Sequence, residues 1–350
     1  MINSLRLQNY RSYTDASFEF GSKVNIIVGP NGSGKTNLLE AIQVVAAGSS
    51  YRVNDNELLN FAAPWFRLDA TIDDGTHSRV VKYDTTKRQP KSFVFDDKSF
   101  LRLTQTHTLP IVLFEPNHLQ LLHGTPELRR NFLDVILIQI KPGYSSFLKN
   151  YRRVLSQRNA LLKRGHASTA ELFPWNLRIS ELGAVISRAR NELIAGLQPK
   201  LAELYKILAK STVEVDVTYT QQFSAETYET SLLHQLESSL EKEIARGFTA
   251  YGPHREDFVV TMNGKRADEV ASRGETRTIV LALKILELEL IEQTLGKTPI
   301  LLLDDVFSEL DGSRRRALTD YLETHQTFLT TTDADIVVKH FTSSTIIPLG

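Results

Sequence analysis

Eight residues near the start of the chain have the types and the spacing that bind a triphosphate. They are Gly29, Pro30, Asn31, Gly32, Ser33, Gly34, Lys35 and Thr36. The glycines let the backbone turn so that successive N–H groups point at phosphate oxygens. In such a P-loop, Lys35 meets the β- and γ-phosphates and the Thr36 hydroxyl ligates Mg²⁺. The segment therefore predicts a nucleoside triphosphate and Mg²⁺ as ligands, rather than a glycine-rich turn without chemistry.

Two adjacent acids, Asp304 and Asp305, directly follow the apolar run Ile300–Leu303. Four apolar residues in a row are typical of a buried parallel strand, and open α/β sheets bind ligands at the carboxyl ends of their strands. We predict that Asp304 holds Mg²⁺, directly or through water, and that Asp305 orients the attacking water. The alternative is an acidic turn after a strand, which a P-loop in the same chain disfavours.

A third candidate element lies about 32 residues before Asp304 and begins at Ser272. Ser272 and Gly274 precede the apolar helical stretch 278–283, and a helix N-terminus of this kind binds anions. The tetrapeptide is weak evidence by itself, because a plain helix cap has the same composition.

The elements that position these residues are strands at both ends of the chain and helices in the middle. Residues 1–114 are rich in predicted strands, with a hairpin turn at 73–76. Long helices are predicted at about 143–164 and 174–210, a strand at 213–219 and a further helix at about 225–246. Later helices are predicted at 275–295 and 313–323, with strands at 300–303 and 327–331. We predict an α/β protein with a mixed sheet: a discontinuous nucleotide-binding domain, 1–124 and 255–350, with a mainly helical domain, 125–254, inserted.

Composition limits the possible classes. The 350 residues are 41% hydrophobic, carry a formal net charge of +0 and include no cysteine. A thiolate metal site, a disulfide framework and a global basic field are thereby excluded. No signal peptide and no run of about 20 apolar residues is evident, so we expect a cytoplasmic protein with no membrane partner.

In their order along the chain, these motifs resemble those of the ABC-type ATPases of the SMC class, and in detail those of the RecF family. The detailed match adds three segments, 9–13 (Asn-Tyr-Arg-Ser-Tyr), 128–134 (Leu-Arg-Arg-Asn-Phe-Leu-Asp) and 251–257 (Tyr-Gly-Pro-His-Arg-Glu-Asp). It runs from about residue 2 to residue 333.

The resemblance implies ATP as the nucleotide and an ATP-dependent homodimer. Lys35, Thr36 and Asp304 would act in cis, whereas Ser272 and Gly274 of the partner protomer would touch the γ-phosphate. It also implies binding to duplex and gapped DNA, with RecO- and RecR-type mediators as partners, in DNA repair, replication and the SOS response. There the family helps to load the recombinase onto single-stranded DNA.

The chain departs from the wider ABC pattern at three places. Asp305 stands where many ABC ATPases have Glu, and a shorter acid suits slow hydrolysis. No switch histidine follows the predicted strand at 327–331, where Thr330 to Asp333 stand instead, and Glu115 and Asn117 occupy roughly the position of the Q-loop glutamine. An ATP-locked dimeric scaffold without meaningful turnover is therefore kept as the alternative function.

A basic segment is the candidate DNA contact. Residues 135–170 contain no acid, and several of the basic side chains fall three or four residues apart on one predicted helical face. Charges of this kind bind phosphates without reading sequence, although a solvated helix face has the same pattern. The predicted contacts are Arg129, Arg130, Lys149, Arg152, Arg153 and Arg158. Tyr10 and Arg11 are a further hypothesis, as residues that approach the nucleotide.

Overall fold

The structure, a computed structural model, describes residues 1–333, 337, 339–341 and 343–350. Internal contacts divide the chain into a first unit, residues 1–118 with 287–350, and a second unit, residues 119–286. Residues 255–286, which the sequence assigns to the nucleotide-binding domain, lie in the second unit because strand 257–262 pairs with strand 215–220. Within the described residues, no helix combines the length and the hydrophobicity that crossing a bilayer requires.

The first unit contains most of the strands. Its strands are β1 (Ile2–Tyr10), β2 (Tyr13–Glu19), β3 (Val24–Val28), β4 (Trp65–Ile72), β5 (His77–Asp84), β6 (Lys91–Phe95), β7 (Lys98–Phe100), β8 (Ile111–Phe114), β12 (Ile300–Leu303), β13 (Thr327–Thr331) and β14 (Ser344–Pro348). Its helices are α1 (Lys35–Ala47), α9 (Val306–Glu309) and α10 (Gly312–Leu322). The turn predicted at 73–76 joins β4 to β5 in an antiparallel hairpin, as expected.

Two sheets of the first unit enclose the helix that follows the P-loop. In the described part of the chain, the antiparallel sheet has the order β2-β1-β4-β5-β6-β7 and the parallel sheet the order β14-β3-β13-β12-β8. Helix α1 contacts strands of both sheets, and its apolar residues belong to their common core. The parallel strands β3, β13 and β12 are neighbours, so their carboxyl ends meet at one edge, where ligands of α/β sheets bind.

The second unit is mainly helical. Its helices are α2 (Pro126–Ile140), α3 (Tyr144–Leu162), α4 (Thr169–Ala209), α5 (Tyr228–Ser238), α6 (Leu240–Arg246), α7 (Ala267–Val270) and the first part of α8 (Arg273–Leu295); its strands are β9 (Val215–Thr220), β10 (Asp257–Met262) and β11 (Lys265–Arg266). The strands form an antiparallel sheet in the order β11-β10-β9. Helices α3 and α4 pack against each other and form the arm that the sequence predicts.

Two helix boundaries differ from the prediction for local reasons. Helix α4 begins at Thr169 rather than near 174, because Ser168 caps it and the Glu171 side chain bonds back to the Ser168 N–H in a capping box. Pro174 is accommodated near the helix start, within the first two turns. The predicted helix 225–246 is divided at Ser239 into α5 and α6.

Candidate nucleotide-binding site

The P-loop connects β3 to α1 in a conformation that only glycine allows at two positions. Gly34 has a φ of 97°, and a Cβ there would lie 2.8 Å from the Tyr13 hydroxyl. A Cβ on Gly29 would lie 2.3 Å from the Leu349 carbonyl oxygen. Helix α1 starts directly after Gly34, and no described side chain caps its first turn. Its N–H groups and the positive end of its dipole therefore face the loop, which favours an anion.

The Lys35 side chain is folded back onto the loop. Its ammonium group donates to the carbonyl oxygens of Gly29 (2.6 Å) and Pro30 (2.9 Å), and the residue is only 9% exposed. Backbone carbonyls thus hold the cation beside the helix N-terminus, at the place where a phosphate would exchange with them.

Asp304 lies at the carboxyl end of β12 and accepts hydrogen bonds from three hydroxyl groups of the described residues. Thr36 donates to Oδ1 at 3.1 Å, and Thr330 of β13 donates to the same oxygen at 2.9 Å. Tyr51 donates to Oδ2 at 3.3 Å. The structure therefore joins the P-loop hydroxyl to the acid that the sequence pairs with it, across 268 residues of chain.

Tyr51 is a residue of the site that sequence reasoning missed. Burial raises the pKa of its hydroxyl, and the charges of Asp304 and Glu115 raise it further. The hydroxyl is therefore a proton donor at any physiological pH. No motif identifies Tyr51; the only signal is its place in the polar segment that follows α1.

Asp305 is exposed and lies directly beyond Asp304. Its backbone has a φ of 53°, a left-handed conformation that Asp and Asn adopt more readily than most residues. Its N–H donates to the Thr330 hydroxyl at 2.9 Å. Thr330 thus contacts both acids, at the position where the sequence lacks a switch histidine. Glu115 lies within electrostatic reach of Tyr51, whereas Asn117 is exposed.

Of the two residues hypothesised to approach the nucleotide, the structure contradicts Tyr10, while the role of Arg11 stays a prediction. The Tyr10 side chain is fully buried and packs edge-on against Phe66. The Arg11 guanidinium forms an ion pair with the buried Glu40 of α1 at 3.0 Å. These residues support the P-loop helix from the core side.

Ser272 and Gly274 belong to the second unit, at the start of α8. Ser272 accepts a hydrogen bond from the Glu275 N–H at 3.3 Å, and the Glu275 carboxylate accepts from the Ser272 N–H at 2.8 Å. This is a capping box. Within one protomer, Ser272 therefore acts as a helix cap. Ser272 is exposed, which leaves it accessible to a ligand as well.

The structure contradicts the predicted DNA contact at two of the six basic residues. Arg158 is 0% exposed and pairs with the buried Glu243 at 2.7 Å. Arg129 is 8% exposed and forms a bidentate pair with Asp257. Each guanidinium group is paired with an acid inside the fold, because an unpaired charge in a core is unfavourable. Lys149, Arg152 and Arg153 are exposed on α3, and Arg130 is half-buried on α2.

The residues present fit a triphosphate with a divalent cation. The loop has an orphaned polar atom, the buried Ser33 Oγ, which has no hydrogen-bond partner among the described residues. Gly32 leaves open space around its Cα, and Pro30 and Asn31 are exposed. Thr36 and Asp304 supply the hydroxyl and carboxylate oxygens that Mg²⁺ prefers.

The sequence of the chain is similar to those of known proteins. The family described as RecF/RecN/SMC N terminal domain matches residues 1–346. Two proteins called DNA replication and repair protein RecF are similar to the chain. The one from Ruminiclostridium cellulolyticum is 34% identical, over 96% of this chain and 93% of the relative. The one from Bacillus cytotoxicus is 35% identical, over 95% and 92%.

Solved structures give the same result. Those of the recombination mediator protein RecF in the RecFOR pathway, as RecF-ATPrS and as RecF-ATP, superpose with TM-scores of 0.86 and 0.83; each is 29% identical and covers 95% of this chain and 92% of the solved chain. The Smc head domain of Pyrococcus furiosus shares the fold, with a TM-score of 0.52 at 15% identity, covering 100% of this chain and 94% of that one.

Proposed function

Because this chain belongs to the RecF family, we propose that it is an ATP-dependent DNA-binding protein of recombinational DNA repair and replication. The observation that carries the proposal is the hydrogen bond from Thr36 of the P-loop to Asp304. It joins the two motifs of an ABC-type half-site within one unit. The similarity to RecF structures that contain ATP supports ATP as the nucleotide.

The half-site assigns a separate task to each of its side chains. Lys35 exchanges its two carbonyl partners for phosphate oxygens, while the first-turn N–H groups of α1 bind the β-phosphate. Thr36 and Asp304 are the proposed Mg²⁺ ligands, directly or through water. Bound Mg²⁺ would neutralise charge on the β- and γ-phosphates. Thr330 and Tyr51 hold the Asp304 carboxylate in place during this exchange.

Asp305 is the proposed residue that orients the attacking water. It directly follows Asp304 after the end of β12, is exposed, and has a left-handed backbone. Its carboxylate reaches one methylene less far than the Glu of many ABC ATPases, so hydrolysis is expected to be slow. The same observation favours the second candidate function, an ATP-locked dimeric scaffold in which turnover is incidental.

The other half of the site is proposed to come from a second protomer. Ser272 is exposed at the N-terminus of α8, and Gly274, in the same first turn, is half-buried. Such a turn binds phosphate oxygens, so the γ-phosphate held by one protomer would be bound by Ser272 and Gly274 of its partner. ATP then supplies interface contacts that ADP lacks, and dimerisation becomes nucleotide-gated.

DNA is the proposed ligand of the ATP-bound dimer. The exposed side chains of Lys149, Arg152 and Arg153 support contact with phosphates of duplex and gapped DNA, without sequence readout. The relatives' place in the RecFOR pathway supports RecO- and RecR-type mediators as protein partners.

Light scattering after size-exclusion chromatography, with and without ATP and Mg²⁺, tests the central claim. We expect a monomer without ATP and a dimer with it. Lys35→Ala removes the cation that meets the phosphates and should weaken ATP binding about 10- to 100-fold, so that it stays monomeric. Lys23→Ala, at an exposed lysine of the same unit, is the matched control. A wild-type protein that stays monomeric with saturating ATP, Mg²⁺ and DNA would contradict the proposed ATP-dependent dimerisation.

A further inference from the structure

A cleft of about 540 Å³ opens in the second unit, away from the P-loop in sequence. Helices α2, α3 and α4 and the segment Pro253-His254 line it. Three arginines stand in its wall: Arg130 of α2, Arg152 of α3 and Arg190 of α4. Nothing in the proposed ATPase cycle uses this cleft.

The lining of the cleft includes an ion pair between Arg190 and Asp134 that carries no net charge. Arg190 binds both oxygens of the buried Asp134, each at 2.9 Å, and donates to the Pro253 carbonyl at 2.7 Å. Tyr144 adds a hydrogen bond to Asp134 at 2.6 Å. The Asp134 charge is therefore neutralised from within the fold, and it does not repel an anion in the cleft.

Arg130 makes few of the hydrogen bonds that its guanidinium group can donate. Its half-buried guanidinium has five N–H donors, but among the described residues it donates one hydrogen bond, to the Glu256 carbonyl at 2.9 Å. Burial lowers the pKa of Arg130, and the positive charge of Arg190 lowers it further. An anion in the cleft would provide the missing acceptors and relieve that repulsion.

Arg152 supplies a second cation on the opposite helix. Its side chain is 64% exposed, and its ion pair with Asp134 is loose, at 3.7 Å. His254 stays neutral above acid pH, because burial lowers its pKa to about 4. The described acids of the lining are Asp134, which Arg190 neutralises, and the exposed Glu127, whose charge lies within electrostatic reach of Arg130. The guanidinium groups of Arg130 and Arg152 thus outnumber the one carboxylate of the lining that forms no close ion pair.

We propose that this cleft binds a backbone phosphate of nucleic acid between Arg130 and Arg152. The volume exceeds the needs of one phosphate group and leaves room for the flanking sugars. Planar guanidinium groups match the geometry of phosphate oxygens. The inference rests on the DNA-binding function proposed above, and it places one contact of that function at a defined position in the second unit.

The test compares the affinity of three variants for a fluorescent duplex, with ATP and Mg²⁺ present, between 50 and 200 mM salt. Arg130→Gln and Arg152→Gln should each raise Kd about tenfold and reduce the salt slope of log Kd by about 0.9. Gln keeps a polar amide at both positions, Arg130 is only half-buried and Arg152 is exposed, so both variants should fold. Arg188→Gln, at an exposed arginine of α4 outside the cleft, is the control and should change neither value.

Each failure has a different meaning. A wild-type protein that does not bind the duplex would overturn the DNA-binding function itself. If the wild type binds the duplex but Arg130→Gln and Arg152→Gln have the same affinity as Arg188→Gln, only the proposal that the cleft binds a phosphate is wrong. Calorimetric titration with inorganic phosphate separates the sources of the anion. If phosphate heat disappears in Arg130→Gln while duplex affinity is unchanged, a free anion occupies the cleft and the nucleic-acid assignment is wrong.

Discussion

The Asp304 carboxylate is held at both of its oxygens. Thr36 and Thr330 bond to Oδ1, and Tyr51 bonds to Oδ2 on the other side. Because Thr36 marks the side where Mg²⁺ is proposed to bind, Tyr51 leaves that side free and fixes the rotation of the carboxylate. A hydroxyl that sequence motifs do not identify thus orients the acid that they do.

Tyr51→Phe should weaken Mg²⁺-dependent nucleotide binding. Loss of one hydrogen bond to a charged group corresponds to about three- to tenfold in Mg²⁺ affinity at this length of contact. The measurement is a Mg²⁺ titration of binding of a fluorescent ATP analogue. Tyr10→Phe is the control, since the Tyr10 hydroxyl has no hydrogen-bond partner among the described residues. Identical Mg²⁺ midpoints in both variants would show that Tyr51 does not position Asp304.

His254 makes stability depend on pH. Its Nδ1 bonds to the Tyr151 hydroxyl and its Nε2 lies 3.0 Å from the Thr249 carbonyl oxygen. Burial lowers its pKa from 6.5 to about 4. The unfolded chain therefore binds the proton more readily than the folded chain, so its contribution is complete above pH 6.5 and is lost as the pH falls towards 4.

We expect this group to remove up to about 3 kcal/mol from the free energy of unfolding over that interval. Urea unfolding of the full chain at several pH values, compared with His254→Gln, measures the difference. The variant should show a flatter pH profile between pH 6.5 and 4.5. Parallel profiles would mean that His254 titrates normally in the folded state.

At the scale of elements, one buried arginine joins three helices of the second unit. Arg158 of α3 donates to Asn176 of α4 at 2.7 Å, pairs with Glu243 of α6 at 2.7 Å and donates to the Thr249 hydroxyl at 2.8 Å. It belongs to the interior of the arm, which is why its regular spacing with exposed arginines misled the prediction of a DNA contact.

Arg158→Met should lower the free energy of unfolding by about 3–5 kcal/mol, because it leaves Glu243 buried without its cation. Chemical denaturation measures this effect. Arg153→Met, at an exposed arginine of the same helix, should change stability by less than about 0.5 kcal/mol. A small effect at Arg158 would mean that water or a rearranged Glu243 compensates for the lost pair.

Elements with a strong local pattern were predictable, whereas contacts that depend on packing were not. The P-loop strand and helix, the apolar strand before Asp304 and the two arm helices follow from periodicity and turn residues. The buried positions of Tyr10, Arg129 and Arg158 could not be predicted, because the type of a polar residue does not reveal whether its side chain faces solvent or a buried partner. The pairing of β10 with β9, which moves residues 255–286 into the second unit, is likewise a long-range choice.

At the scale of the whole molecule, a substitution of Asp305 distinguishes the two candidate functions, a DNA-stimulated ATPase and an ATP-locked scaffold. Asp305→Asn keeps a residue that tolerates the left-handed backbone but removes the charge proposed to orient water. We expect ATP-induced dimerisation to persist and DNA-stimulated phosphate release to fall at least about tenfold. Light scattering and a phosphate-release assay measure the two properties on the same sample.

The matched control is Asp304→Asn, at the preceding residue. It should impair both ATP-induced dimerisation and phosphate release, because it alters a proposed Mg²⁺ ligand. Phosphate release that is undetectable in the wild type would favour the ATP-locked scaffold. Turnover unchanged in Asp305→Asn would assign the orientation of water to a different group.

The folded-back position of Lys35 has a kinetic consequence. Its ammonium group is already bonded to the carbonyls of Gly29 and Pro30. These neutral groups leave its positive charge in place but occupy its donors, so the lysine must exchange partners before it binds a phosphate. Its transfer to phosphate follows the first encounter, which the α1 N-terminus provides. Because Lys35 completes its phosphate contacts only after this exchange, we expect its removal to act mainly on how long a nucleotide stays, through the dissociation rate constant.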